Sequence, residues 1–240
     1  MEATKLGVTR MATKTISAPA PNAPFYTTHK WSTKRFFSFE YLQYLPKNLA
    51  QNEKYPLVLF LHGAGERGND VELVTLHGLF KNVKQGMQFP FICVAPQCPA
   101  GKYWGCYTES LLAFLDELCA TLPVDKNRVY VTGLSMGGTG TFMLGMADPD
   151  RFAALAPICG SGICWNAYAL KDVPVLMYHG DCDDSVPIQE SVTMLTKINK
   201  VGGSAALKIL YGAGHNVWDY AYNDEEFFRW LLSHKKNRPQ

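Results

Sequence analysis

The chain has 240 residues, 47% hydrophobic and 18% charged, which is globular usage and excludes a disordered or coiled-coil protein. Its 23 Lys and Arg stand against 21 Asp and Glu, a net charge of +2, too balanced for the clustered basic surface of a nucleic-acid binder. The longest apolar run, Pro56–Leu61, is far too short for a bilayer span, so neither nucleic acid nor a membrane is expected as a partner.

Before Glu40 the only acid is Glu2, against Lys5, Arg10, Lys14, Lys30, Lys34 and Arg35. No apolar stretch follows the basic start as it would in a secretory signal, and Pro19, Pro21 and Pro24 oppose a helix. Residues 1–30 therefore read as a leader or disordered extension and 31–240 as one domain. Seven cysteines, at 93, 98, 106, 119, 159, 164 and 182, include no C-x-x-C pair and no zinc spacing. They read as buried free thiols of a reducing compartment, which makes the cytoplasm the expected location and leaves no metal expected.

Taken in chain order, Phe36–Leu45 alternates and stops at Pro46, the pattern of an edge strand. Continuous aliphatic runs follow at Leu57–Leu61, Phe91–Ala95, Val129–Thr132, Ala153–Ile158, Val173–Tyr178 and Leu207–Tyr211, as in parallel strands covered on both faces. Helical patterns lie between and after them: Ser110–Leu122, Thr139–Ala147, Ile188–Val201 ending at Gly202, and Asn223–His234 opening on an Asn cap and three acids. This alternation predicts a single α/β domain with a mostly parallel sheet. Only about fifteen residues separate Ile158 from Val173, too few for a separate lid domain, so the site should be open.

The sharpest motif is Gly133-Leu134-Ser135-Met136-Gly137-Gly138, directly after the strand Val129–Thr132 and before a helix. Such a turn exposes a serine hydroxyl at the strand end, with small neighbours to avoid clashes. A hydroxyl needs a base, and the base an orienting carboxylate, in the chain order serine, acid, histidine. Downstream of Ser135 stand His179, His215 and His234. His179 closes a buried strand and reads as structural, and His234 lies in a polar helix. His215, in the loop Gly212-Ala213-Gly214-His215-Asn216 after the last strand, is the expected base. The acid should come from the loop His179–Pro187, where Asp181, Asp183 and Asp184 compete. Met136, following the serine, should supply one backbone N–H to an oxyanion site, and the loop after Leu57–Leu61 the other.

That loop also spells Gly63-Ala64-Gly65-Glu66-Arg67-Gly68, formally a dinucleotide fingerprint. The fingerprint asks for an acid about 20 residues on, and no Asp or Glu occurs between Glu72 and Glu109. No cofactor is expected.

With Leu61-His62-Gly63-Ala64-Gly65-Glu66-Arg67-Gly68, Ala95-Pro96-Gln97 and Gly214-His215-Asn216, the chain resembles the small α/β-hydrolases of the predicted-peptidase group. These are related to carbohydrate esterase family 1 feruloyl and acetylxylan esterases and to phospholipase/carboxylesterases; the likeness covers about Tyr41 to Leu232. The resemblance implies an α/β-hydrolase fold with an antiparallel edge at its N-terminal side, helices on both faces, and serine esterase chemistry through an acyl-enzyme. The pattern H-G-x-x-D-x-x-V-P is similar to the acid loop of carboxylesterases and acyl-protein thioesterases and implies Asp183 as the acid. By the same likeness Ala64 is the second oxyanion donor. Trp218, Trp104, Glu66 and Arg67 are candidate contacts to a short-chain, hydroxycinnamoyl or polysaccharide-linked ester. The competing readings are a serine peptidase of the prolyl-oligopeptidase type and a non-catalytic hydrolase-fold binding module.

Overall fold

A computed structural model describes residues 25–33, 37–47 and 49–236. Among them, eight strands form one sheet in the order β1-β2-β4-β3-β5-β6-β7-β8. The strands are β1 (Thr27–Trp31), β2 (Phe39–Tyr44), β3 (Tyr55–Leu61), β4 (Ile92–Pro96), β5 (Val124–Leu134), β6 (Ala154–Ile158), β7 (Val175–Gly180) and β8 (Ala205–Leu210). β2 runs antiparallel to both β1 and β4, and every pairing from β4 through β8 is parallel.

The aliphatic runs are central strands because both of their faces are covered. Leu57, Leu59 and Leu61 of β3 join one hydrophobic cluster while Val58 and Phe60 join the other. Ile92 and Val94 divide from Cys93 and Ala95 in the same way. On the first face lie α2 (Thr108–Thr121), α3 (Met136–Ala147) and α4 (Gln189–Lys200), through residues such as Phe114, Phe142 and Met194. On the second lie α1 (Gly78–Lys84), α5 (Trp218–Ala221) and α6 (Glu225–Ser233), through Phe80, Ala221 and Phe227. Between β6 and β7 stands only a 3-10 stretch, Cys164–Leu170.

Four expectations are corrected. The strand over Phe36–Leu45 is not an edge: β2 is flanked by β1, whose first residues fall inside the stretch read as a leader. Residues 1–24 lie outside the described residues. The final helix is capped by Asp224, whose side chain accepts from the Glu226 N–H at 3.0 Å, rather than by Asn223. Among the cysteines read as buried, Cys106 and Cys182 are exposed. No described helix is long and apolar enough to cross a membrane.

Because β3, β5, β7 and β8 are parallel, the segments after them emerge along one edge of the sheet. Those segments carry His62–Glu66, Ser135, Asp181–Asp184 and His215, respectively.

Candidate active site

β5 passes into α3 through Ser135, which holds φ 54° and ψ −115°, a region costly for any side chain. The turn survives because its surroundings fix it. The Ser135 N–H donates to Ile158 O at 2.9 Å, and the Thr139 N–H donates back to Ser135 O at 3.1 Å. Gly137 backs so closely onto the Leu61 and His62 carbonyls that no Cβ fits. A Cβ on Gly133 would lie 2.5 Å from Gly137 O.

Strain at this turn delivers the hydroxyl. Ser135 Oγ lies 2.8 Å from His215 Nε2, and His215 Nδ1 lies 2.7 Å from Asp183 Oδ2. Asp183 Oδ1 accepts the N–H groups of Ser185 and Val186, each at 2.9 Å. Burial pushes its carboxyl up, but the hydrogen bonds from His215, Val186 and Ser185 outweigh it and hold Asp183 below the usual carboxylate range. The other two aspartates are committed elsewhere. Asp181 Oδ1 accepts from Gly212 N–H at 2.6 Å, and exposed Asp184 pairs with Ser185 Oγ at 3.4 Å.

The loop after β3 is braced from within. His62 is buried; its Nδ1 lies 2.6 Å from Gly63 O, and its Nε2 accepts the Cys98 N–H at 2.9 Å. A carbonyl can only accept, so Nδ1 carries the proton and the ring is neutral, and burial lowers its pKa to about 4. Ala64 opens the 3-10 turn Ala64–Glu66 and Met136 opens α3. Backbone N–H groups in a first helical turn have no partner within the helix.

The candidate substrate contacts divide. Trp104 is not at the rim: it is buried beneath the loop, where its Nε1 donates to His62 O at 2.9 Å. Arg67 donates to Ala64 O at 2.8 Å and Lys102 O at 3.1 Å, so its guanidinium clamps the loop. Glu66 is buried, with His62 Nδ1 and His77 Nε2 each 3.7 Å from its carboxylate. Trp218 stands edge-on to His215 with ring centroids 5.3 Å apart, and edge-on to His77 at 5.6 Å.

Three further residues stand at this edge: His179, which the sequence reads as structural, and His77 and Cys159, which it does not place in the site. His179 contacts Asp183, and His77 joins Glu66 to Trp218. Cys159, at φ 39° after β6, lies beneath the cluster, and burial pushes its thiol up to about 12. Among the described residues, Cys159, Asp183 and His215 form the group whose ligand atoms could meet on a metal, all within 4.8 Å of one another. Two of the three are already committed to the hydrogen-bonded relay with Ser135.

The chain is 30% identical over 152 residues to a bifunctional acetylxylan esterase/xylanase of Neocallimastix patriciarum, covering 61% of this chain and 22% of that protein. It is 26% identical over 169 residues to "Probable feruloyl esterase C" of Aspergillus terreus, covering 68% and 62% of the respective chains. The chain thus spans less than two thirds of either relative. Among solved structures it is similar to a thermostable esterase, with a TM-score of 0.78 at 29% identity over 88% of this chain and 64% of the other. A family model for esterases, described as "Putative esterase", matches residues 38–240. The chain belongs to this Esterase family, with an α/β-hydrolase fold.

Proposed function

We propose that the chain is a serine carboxylic-ester hydrolase in which Ser135 is the nucleophile, His215 the general base and Asp183 the residue that orients it. The observation that carries this reading is the unbroken relay of 2.8 Å and 2.7 Å from a hydroxyl held at a positive φ to a buried carboxylate. Ser135 Oγ attacks the ester carbonyl carbon as its proton passes to His215 Nε2. The oxyanion that forms accepts the N–H groups of Ala64 and Met136. Its collapse breaks the bond to the alcohol oxygen, which takes the proton from Nε2 and leaves an acyl-serine. Water then attacks the acyl carbon, again giving a proton to Nε2, and the acid departs as Ser135 is reprotonated.

The relatives' printed activities support acetyl and hydroxycinnamoyl esters, including carbohydrate-linked ones, as the substrate class. The short β6–β7 connection supports an uncovered site that bulky esters can reach. The test is hydrolysis of p-nitrophenyl acetate, methyl ferulate and peptide p-nitroanilides by the wild type and by Ser135→Ala. Esters should turn over, anilides far more slowly, and Ser135→Ala should be inert. Wild-type rates in Ser135→Ala would overturn the proposal.

A further inference from the structure

Among the described residues, three buried side-chain polar atoms have no hydrogen-bond partner: Glu66 Oε2, His77 Nδ1 and Trp218 Nε1. Buried polar groups are nearly always satisfied, so each orphan asks for an explanation. The three residues that carry them adjoin one another through His77. His77 Nε2 lies 3.7 Å from Glu66 Oε1, and the His77 ring meets Trp218 edge-on at 5.6 Å. Glu66 and Trp218 are only 4% and 9% exposed, whereas the His77 side chain is 37% exposed.

The position of the cluster is informative. Trp218 also packs edge-on against His215, and Glu66 ends the 3-10 turn that Ala64 opens. The leaving alcohol must lie against His215 to take its proton, on the ring that Trp218 packs. The cluster therefore borders the alcohol side of the reaction.

Its chemistry selects the guest. Glu66 Oε2 can accept, Trp218 Nε1 can only donate, and His77 Nδ1 does one or the other by tautomer. A carboxylate guest would be repelled by Glu66, an ammonium would leave the indole N–H unpaired, and a ketone would leave Oε2 unpaired. A hydroxyl donates to one and accepts from the other. Burial raises the Glu66 pKa, against the lowering effects of His77 and of the Gly63 and Glu66 backbone N–H groups, as expected of a carboxyl kept from water.

We propose that Glu66, Trp218 and His77 form a hydroxyl-reading subsite for the alcohol portion of the ester, favouring esters of vicinal diols such as sugars over plain alkyl esters. This rests on the esterase reading and specifies its substrate.

The direct test does not need turnover. In protein labelled with ¹⁵N-tryptophan, Trp218→Phe identifies the Trp218 indole N–H among the signals of the five tryptophans. Trans-1,2-cyclohexanediol should shift that signal at concentrations where cyclohexanol does not, and Glu66→Gln should weaken the diol's effect roughly tenfold. Wild-type kcat/KM should be roughly tenfold higher for trans-2-hydroxycyclohexyl acetate than for cyclohexyl acetate. An indole signal that ignores both compounds, or responds equally to both, overturns the subsite, and this wild-type contrast decides even if Glu66→Gln does not fold. A diol-selective shift with neither acetate hydrolysed keeps the subsite and overturns the esterase reading. Equal hydrolysis of both acetates with an unmoved signal does the reverse.

Discussion

His179 Nε2 lies 3.2 Å from Asp183 Oδ2, the same oxygen that His215 engages at 2.7 Å. It also lies 2.8 Å from Val186 O, which can only accept, so Nε2 carries a hydrogen shared between carbonyl and carboxylate. With Nε2 protonated, a neutral ring takes the Ser191 hydroxyl hydrogen on Nδ1 at 2.7 Å. A fully buried imidazole thus holds the carboxylate that engages His215, the proposed base. His179→Leu should lower kcat about ten- to a hundredfold, the cost of losing about 1–3 kcal/mol at a buried hydrogen-bonded group, with KM changed far less. His179→Gln, which can return an N–H near the Nε2 position, should recover part of the loss. Steady-state kinetics of the two variants decides between positioning and packing, because packing alone predicts no such rescue.

Asp183→Asn tests the relay from the other end. An amide at this position can donate to His215 Nδ1 and favour the wrong tautomer, leaving Nε2 unable to accept the Ser135 proton. A loss of about 10⁴-fold in kcat is expected from the comparable change in serine proteases. The same variant has a pH signature. The folded carboxyl titrates below its ordinary value, so its contribution to stability is present above that value and lost as pH falls through the folded pKa. Urea midpoints of wild type and Asp183→Asn should therefore converge as pH is lowered below about 4. An unchanged gap at pH 3 would contradict this.

Gly137→Ala should be among the most damaging small substitutions in the chain. The added methyl would run into the Leu61 and His62 carbonyls, which are held by the β3–β5 pairing and by Trp104. Backbone cannot rotate aside as a side chain can, so a loss of about 3 kcal/mol or more in urea unfolding is expected. Any folded fraction should have lost esterase activity, since the shift moves Ser135.

What could be read from the sequence, and what could not, follows from the range of the interactions. Ser135 was legible because its turn is local: strand, glycines and helix are adjacent in the chain. His215 was legible because chain order and a glycine-rich loop restrict the base. Asp183 was separable from Asp181 and Asp184 by family resemblance alone, since all three share one loop and the deciding contact, to His215, spans 32 positions. His179 looked like a strand-end residue because its partners Val186 and Ser191 close on it only when the loop folds. Trp104 was misassigned for the reverse reason. An aromatic near an active-site loop looks like a rim contact until its indole N–H is found paired with His62 O. β1 escaped because Thr27–Trp31 has little alternation and gains its ladder from β2.

Glu66 carries a further consequence for stability. Its carboxyl is buried with Oε2 unpaired, and burial raises its pKa against the lowering effect of His77 and the nearby backbone N–H groups. A carboxyl whose folded pKa lies above its unfolded value favours the native state when protonated and opposes it when ionised. The penalty is therefore largest at pH 7 and relieved as pH falls toward 4. Glu66→Gln, a neutral near-isostere, should raise the melting temperature by about 2–4 °C at pH 7, equivalent to about 1 kcal/mol in a domain of this size. The gain should shrink when the melt is repeated near pH 4.5. A lower melting temperature at pH 7 would mean that the ionised carboxylate holds the loop together, and that the Gly63 and Glu66 backbone N–H groups matter more than the desolvation.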